Sequence, residues 1–438
     1  MPVFPSKLLT FARDEKGSVT AFSLFMTVAC LALAGYAIDI GNLVTARTRL
    51  QVAADATAHA ALLQRELHTE ADAKTKALEV AALNMPESVY GKVLTADDID
   101  FGTWDPDTRT FTPKSGSRSA VQVSTQRNHA YENQIPTYFL KLVGLDDWDV
   151  VTSSVFVTYY PTCLREGFVA QDYVDLQSNN SYSNGFCIHS NNYVSLNSNN
   201  YFEPGTVVSM PDLDDLELPN SGYKTNVGLE AALREGSWNI RIVQRINAII
   251  TGIKNRDPMY LPSYITNATT KTFTKNTVYQ TDVTSGTLYT YTCNKGNNTL
   301  TIKNSVKLSK VAIITSCDVK FEQGVILEDV VIGTTSTTKN TSITSASGVQ
   351  IGKDDHCAAG GGAQLLTMGD ISFPSDLKMF GGQLLAKGNI EFAANANGIE
   401  GAAMVAGGSI SGTSNMNMAF CGTGMEANYE AEYFKLAL

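Results

Sequence analysis

The chain has 438 residues, 43% of them hydrophobic, and sets 33 Lys and Arg against 43 Asp and Glu, for a formal charge of -10 and a pI near 5.1. This acidic balance, without clustered Lys or Arg, argues against nucleic acid as a partner, because phosphate backbones are bound through concentrated positive charge. The length exceeds a usual single domain, and the apolar content suffices for more than one core.

The first predicted element is an apolar helix. Residues 19–38 hold no ionisable side chain except Cys30 and Tyr36, and at about 1.5 Å per residue they cover roughly 30 Å, the hydrocarbon thickness of a bilayer. Helical spacing then continues: Arg47, Gln51, Asp55 and His59 fall four apart on one face, with Leu43, Leu50, Ala54, Ala58 and Leu62 on the apolar side. The periodicity predicts one helix that leaves the membrane as a rigid stalk and ends near Asn84 and Pro86, where proline cannot continue it.

Three readings of the apolar run compete. A basic flank (Lys7, Arg13, Lys16) followed by Ala32-Leu33-Ala34 suits a cleaved signal peptide. Pilin-type processing after Gly17 is the second, although the fifth position beyond that cut is Phe22 where pilins usually carry glutamate. We read the segment as an uncleaved anchor, because apolar character runs on past the candidate cut through Gly35, Tyr36, Ala37 and Ile38. The basic flank favours a cytoplasmic N-terminus; Asp14 and Glu15 count little in setting orientation.

The runs Asp14-Glu15-Lys16-Gly17-Ser18-Val19, Gly35-Tyr36-Ala37-Ile38-Asp39 and Ala46-Arg47-Thr48-Arg49-Leu50-Gln51-Val52-Ala53-Ala54-Asp55-Ala56 resemble the N-terminal segment of TadE/TadG-like Flp pilus assembly proteins. A weaker pattern extends to about residue 160 through Gly102-Thr103-Trp104-Asp105, Val121, Phe139 and Gly144. The resemblance implies a bacterial envelope protein of the tight-adherence pilus system, single-pass in the inner membrane, with its bulk in the periplasm. Its implied partners are the inner membrane and other pilus-assembly or pilin subunits. Many larger relatives carry a von Willebrand A domain with a metal site; the Asp-x-Ser-x-Ser signature it needs is absent from this sequence, so that activity does not transfer.

The reading divides the chain into a cytoplasmic N-terminus (1–16), a transmembrane anchor (17–40), a periplasmic stalk (41–86), a small α/β module (87–160) and a disulfide-stapled β-solenoid-like domain (161–438). The expected class is α+β, then mainly β. In the module, residues 101–104, 121–125 and 150–159 read as strands and 135–143 as a short helix ending near Gly144. A long helix with strands on its outer half resembles a pilin-like module; an ordinary α+β spacer is the alternative.

Cysteine usage bears on the compartment. Cys30 lies in the apolar run, and the other six, Cys163, Cys187, Cys293, Cys317, Cys357 and Cys421, all follow it, which suits an oxidising periplasm. Sequential pairing closes the shortest loops and is the expected connectivity, with buried free thiols as the alternative. Metal binding fits less well, since Cys-x-x-Cys does not occur and only His189 and His356 lie near any of the six.

Beyond Tyr160 the composition shifts to Asn, Ser, Thr and Gly, and a pattern recurs. Leu365-Leu366 before Ile371, Leu384-Leu385 before Ile390 and Met404-Val405 before Ile410 are spaced nineteen and then twenty residues apart, with an earlier copy at Ile313-Ile314. Units this short cannot bury their apolar residues alone and must stack, which predicts a parallel β-solenoid, with 186–210 and 325–351 as further coils. An antiparallel β-sandwich is the competing architecture. An amphipathic helix inserted at about 226–257, carrying Trp238, Ile242, Val243, Ile246, Ile249, Ile250 and Ile253 and stopped by Asp257-Pro258, is expected to cap or flank the coils. Residues 266–301 read as a β-hairpin excursion.

Candidate chemistry is thin. Asp212, Asp214, Asp215 and Glu217 form an acidic loop that suits calcium or acid/base work on polysaccharides, or simply a solvated turn. Asp354-Asp355-His356 beside Cys357 is a second cation candidate. Catalytic residues, cofactors and metals are not expected, since the sequence holds no phosphate-binding glycine loop and no nucleophile elbow. Gly17, Gly35, Asp39, Arg47, Leu50, Gln51, Ala54 and Asp55 carry the anchor resemblance. Asp39 reads as an anchor boundary or a contact to other membrane-embedded components, and the Gln51 and Asp55 face as a helix–helix contact. The expected function is a non-enzymatic pilus assembly or accessory protein; a periplasmic β-helix carbohydrate-active enzyme or glycan-binding adhesin, touching cell wall or glycan, is the alternative.

Overall fold

The computed structural model describes residues 18–293, 298–413 and 415–438; Gly17 and the basic flank before it lie outside them. The chain divides into two compact units, one ending at Tyr159 and completed by Glu432–Leu438, the other formed by Tyr160–Ala431.

The first unit is built on helix α1, Ser18–Arg65, which is long and apolar enough to cross a membrane. Its two halves differ. Large apolar side chains such as Phe22, Phe25, Leu31 and Leu33 stand exposed on the first half, whereas Ala46, Leu50, Ala53, Ala54, Ala58, Ala61 and Leu62 form a buried stripe on the second. Small residues at helical spacing let a neighbouring backbone approach closely, and an antiparallel sheet does so here. Its strands are β1 (Ile99–Asp105), β2 (Thr110–Pro113), β3 (Ala120–Arg127), β4 (Val150–Tyr159) and the C-terminal strand Tyr433–Leu436, in the order β2-β1-β3-β4-C-terminal. Ile99, Phe101, Val121, Val123 and Val150 meet the α1 stripe in one core.

The expected unbroken stalk to Asn84 is two helices. The chain turns after Arg65, whose guanidinium donates to the carbonyls of His68 and Gly116, and resumes as α2, Glu70–Asn84. Thr69 caps α2: its hydroxyl accepts from the Asp72 amide while the Asp72 carboxylate accepts from the Thr69 amide, a reciprocal box that fixes a helix start. Ala73, Ala77 and Ala81 of α2 join the α1 core. A second correction concerns residues 135–143, read as a helix. Ile135–Pro136 instead pairs with Asp147–Trp148, and only Leu140–Val143 makes a 3-10 turn, closed by Gly144 in the left-handed region.

Among the described residues of the second unit the strands pair in parallel, which removes the antiparallel sandwich. Three ladders run in register. One carries Tyr289, Ile313, Ile332, Leu365, Leu384, Met404, Phe168, Ile188 and Val208. A second carries Leu300, Val319, Ile343, Ile371, Ile390, Ile410, Val174 and Val194. A third carries Leu308, Leu327, Ile351, Met379, Ile399, Met418, Tyr182 and Phe202. Every one of these side chains is buried, and together they make one core.

Ladder order is not chain order. The pass through Phe168 lies between Ile188 and Met404, so the strand that enters the unit is flanked by the next pass and by the last. From there the chain moves outward to Leu233, which pairs with Val208, then re-enters at Lys271 beside Tyr289 and works back. Residues 266–301 therefore contribute parallel strands, Lys271–Thr272, Thr277–Val278, Thr287–Tyr291 and Thr299–Ile302, rather than a hairpin.

Helix α3, Arg241–Lys254, lies in the crossing segment. It is shorter than the reading of 226–257, since Leu229–Ala232 is a separate turn, Leu233–Glu235 is a strand and Trp238 precedes α3. Ile242, Ile246, Ile249, Ile250 and Ile253 are buried against strands Lys307–Thr315, Ala363–Thr367 and Ile371–Ala386, so the helix flanks the ladders rather than capping them. This explains the apolar pairs. Leu365, Leu384 and Met404 fill the ladder core, while their neighbours Leu366, Leu385 and Val405 are also buried, Leu366 and Leu385 on strands that α3 packs against. Gly333 holds the matching position beside Ile314, and a Cβ there would meet Ile314 at 2.9 Å and Ile250 at 3.0 Å.

Candidate functional site

The residues that carry the anchor resemblance do three different jobs along α1. Gly35 and Asp39, one turn apart, receive the tip of the loop between Ile135 and Trp148. A Cβ on Gly35 would lie 2.8 Å from the Phe139 side chain. The Asp39 carboxylate accepts the amides of Tyr138, Phe139 and Leu140 at 2.7, 2.9 and 2.7 Å, so both of its oxygens are engaged within this unit. Asn42 adds a donor to the Pro136 carbonyl.

Further along, Leu50 and Ala54 are fully buried, and Gln51 Nε2 bridges Asp55 Oδ1 at 2.9 Å and the Ser153 carbonyl at 3.2 Å. The face read as a helix–helix contact thus docks on strand β4. Thr125 of β3 strengthens the join by donating to the Leu50 carbonyl. Arg47 is exposed and points away from this core, and Cys30 is exposed on the apolar half. Among these residues α1 offers partners two surfaces: the apolar half and the strip around Arg47.

The six later cysteines form Cys163–Cys187, Cys293–Cys317 and Cys357–Cys421, all inside the second unit. Glu166, buried next to the first bridge, accepts the amides of Cys421 and Gly422 at 2.8 and 2.9 Å and so ties the first and last segments of this unit together. Burial pushes its carboxyl above the ordinary range, against the pull of those two donors.

Asp212, Asp214 and Asp215 do not converge. Asp212 caps the turn Leu213–Asp215 through its own carboxylate and the Asp214 amide, and all three carboxylates are exposed. Their neighbour Glu217 behaves differently. It pairs through its backbone with Val194 and Leu196 and lines an open groove of about 380 Å³ with Asp175, Gln177, Ser195 and Asn197. Burial raises the Asp175 carboxyl, the Ser195 hydroxyl opposes that rise and the Glu217 charge adds to it. Two carboxyl groups, one raised above its ordinary value by burial, are the elements of acid/base work or of sugar-hydroxyl recognition. Tyr173 and Tyr193, two residues before Asp175 and Ser195, stack at 5.2 Å. The signal was available in the sequence, where Tyr173-Val174-Asp175-Leu176 recurs as Tyr193-Val194-Ser195-Leu196, but that period alone does not show that Glu217 closes the groove.

Among the described residues, two clusters free of disulfide-bonded cysteine have the donors for a divalent cation. His129 Nδ1 sits 2.8 Å from Asp149 and its Nε2 3.5 Å from Asp147, and the Asp149 hydrogen bond raises the imidazole above its ordinary value. Asp354, His356 and Glu400 are the other set, of which Asp354 and His356 were legible as neighbours.

Comparison with known families finds three matches. The model for a domain of unknown function, DUF7867, covers residues 167–422. The Flp pilus-assembly TadE/G-like model covers 17–73, and the Tad-like Flp pilus-assembly model covers 53–155. No curated protein and no solved structure matches the chain.

Proposed function

Because the chain belongs to the DUF7867 family and its N-terminal segment is Tad-like, we propose that it is a non-enzymatic, membrane-anchored assembly or accessory component of an Flp pilus system. In this reading α1 crosses the bacterial inner membrane once, with the basic flank in the cytoplasm and both units in the periplasm. The single observation that carries it is the division of α1 into an exposed apolar half and a packed half, within the segment matched by the Tad-like models. The three in-register ladders support a parallel β-solenoid, and the bridges that staple it suit an oxidising compartment. Such a unit would present a stiff surface to pilus subunits or envelope.

Deletion of the gene is expected to reduce pilus number and surface adherence; unchanged piliation and pilin export would sink the proposal. A C-terminal alkaline phosphatase fusion should be active, and an inactive fusion with fully alkylatable cysteines would remove the periplasmic assignment.

The groove of Asp175 and Glu217 supports a second reading, glycan binding or polysaccharide cleavage. Asp175→Asn and Glu217→Gln should then abolish binding or turnover of acidic polysaccharides, whereas an Asp212→Ala, Asp214→Ala, Asp215→Ala triple variant should not. Equal loss in both sets would discard the groove.

A further inference from the structure

The tip of the loop between Ile135 and Trp148 is built to be stiff, and it is apolar. Thr137 closes it by donating its amide to the Asp146 carbonyl at 3.0 Å and its hydroxyl to the Leu145 carbonyl, and Leu140–Val143 form a 3-10 turn ended by Gly144. On this frame stand Tyr138, Phe139, Leu142, Val143 and Leu145, all exposed, Leu142 at 80% and Val143 at 74%. Lys141 is the tip's sole charge between Tyr138 and Leu145. A long side chain of this kind can keep its ammonium in water while its stem lies along apolar surface.

The place of the tip on α1 says what covers it. It is docked on Gly35 and Asp39, and residues 19–38 make up the roughly 30 Å that match a hydrocarbon core. The tip therefore lies beside the last turn of the span, and its apolar side chains continue the exposed apolar surface of α1. We infer that residues 138–145 insert into the bilayer interface where α1 leaves the membrane, forming a second lipid contact that fixes the first unit against the bilayer. The same geometry accounts for Asp39. A carboxylate in the last turn of a span has little water to satisfy it, and three amide donors replace that water. Asp39 is thus a positioning residue for the tip.

The inference rests on α1 spanning the membrane, so the test carries a probe for each. Full-length chain in a Cys30→Ala background, with its disulfides intact, is reconstituted into phosphatidylethanolamine and phosphatidylglycerol vesicles. Leu142→Cys, Leu31→Cys and Leu83→Cys are spin-labelled separately, and collision with oxygen is compared with collision with a water-soluble nickel chelate. Expected is a several-fold oxygen preference at 31 and at 142, and chelate preference at 83, where Leu83 is exposed on α2. Adding Asp39→Ala should shift 142 towards the chelate and leave 31 unchanged. Chelate preference at 142 with 31 still in lipid overturns the insertion alone. Chelate preference at both sites overturns the span. Shielding of 142 from both reagents, in detergent as in vesicles and rising with protein concentration, would assign the tip to a protein contact and overturn the lipid.

Discussion

In the unit on α1, Leu50 shares its core with Val121, Val123 and Val150, so each buried position depends on segments far away in the chain and of unrelated sequence. In the ladder unit, Ile313 meets Ile332, which meets Leu365, and a core position is repeated by translation through one pass after another. The first arrangement needs a helix of small residues to let a sheet approach; the second needs the same apolar type every nineteen or twenty residues and a helix to cover one outer face. The difference teaches that damage should be shared across the whole core of the first unit but pass from neighbour to neighbour along a ladder in the second.

Four measurements sharpen or break that contrast, each on the full chain in detergent. Reduction should have the largest effect, because all three bridges lie in the ladder unit and a native disulfide contributes on the order of 3 kcal/mol. Hydrogen exchange should rise across the ladder strands and stay unchanged in β1, β3 and β4; equal loss in both units would break the comparison. Next come core truncations. Phe392→Ala, which removes a ring 5.4 Å from Phe168, should cost about 3–5 kcal/mol and raise exchange in the passes on either side, whereas Leu50→Ala should cost about 2–5 kcal/mol within the α1 core.

A smaller effect is expected from Thr125→Val. It removes the donor to the Leu50 carbonyl and the partner of Thr152 in a buried pair, costing about 1–3 kcal/mol, read by thermal unfolding.

The smallest effect concerns pH, and its sign differs between the units. His189 takes a ladder position that Val169 and Ser209 hold in adjacent passes. It stacks on Trp238 at 4.4 Å, donates Nε2–H to Asn191 and receives the Ser209 hydroxyl at Nδ1. Burial lowers its pKa, against the hydrogen bond to Asn191. The unfolded chain then binds more protons, so the ladder unit should lose stability as pH falls below the ordinary value of 6.5 towards the folded one. His129 is raised by Asp149, so its contribution is complete below 6.5 and lost as pH rises through its folded value. His189→Gln should flatten the acid loss in the ladder unit's melting; an unchanged slope would locate that loss elsewhere.

Much of the first unit's organisation was legible where it is local. The apolar run, the alanine stripe and the strands at 101–104, 121–125 and 150–159 follow from spacing and residue type. The break after Arg65 was legible too, since Thr69-Glu70-Ala71-Asp72 is a capping signature, but the alanine-rich periodicity on both sides concealed it. Residues 135–143 looked helical because their apolar residues are close together; a strand pair and the Asp39 carboxylate decided otherwise. At the candidate groove, Asp175 and Glu217 are 42 positions apart in sequence, and no spacing rule joins them.

By itself the sequence determined an apolar run long enough to cross a membrane, a Tad-like start, an even set of cysteines beyond that run and a period of nineteen to twenty residues in the second half. These are properties of neighbouring residues, and periodicity records them directly. Only the tertiary structure decided the order in which strands pair beside α1, that the first ladder pass lies between the second and the last, and that α3 packs on the strands of Leu366 and Leu385. Those choices depend on which distant segment excludes the most water from a given face, and a local pattern of apolar residues is compatible with several such partners until the whole unit closes.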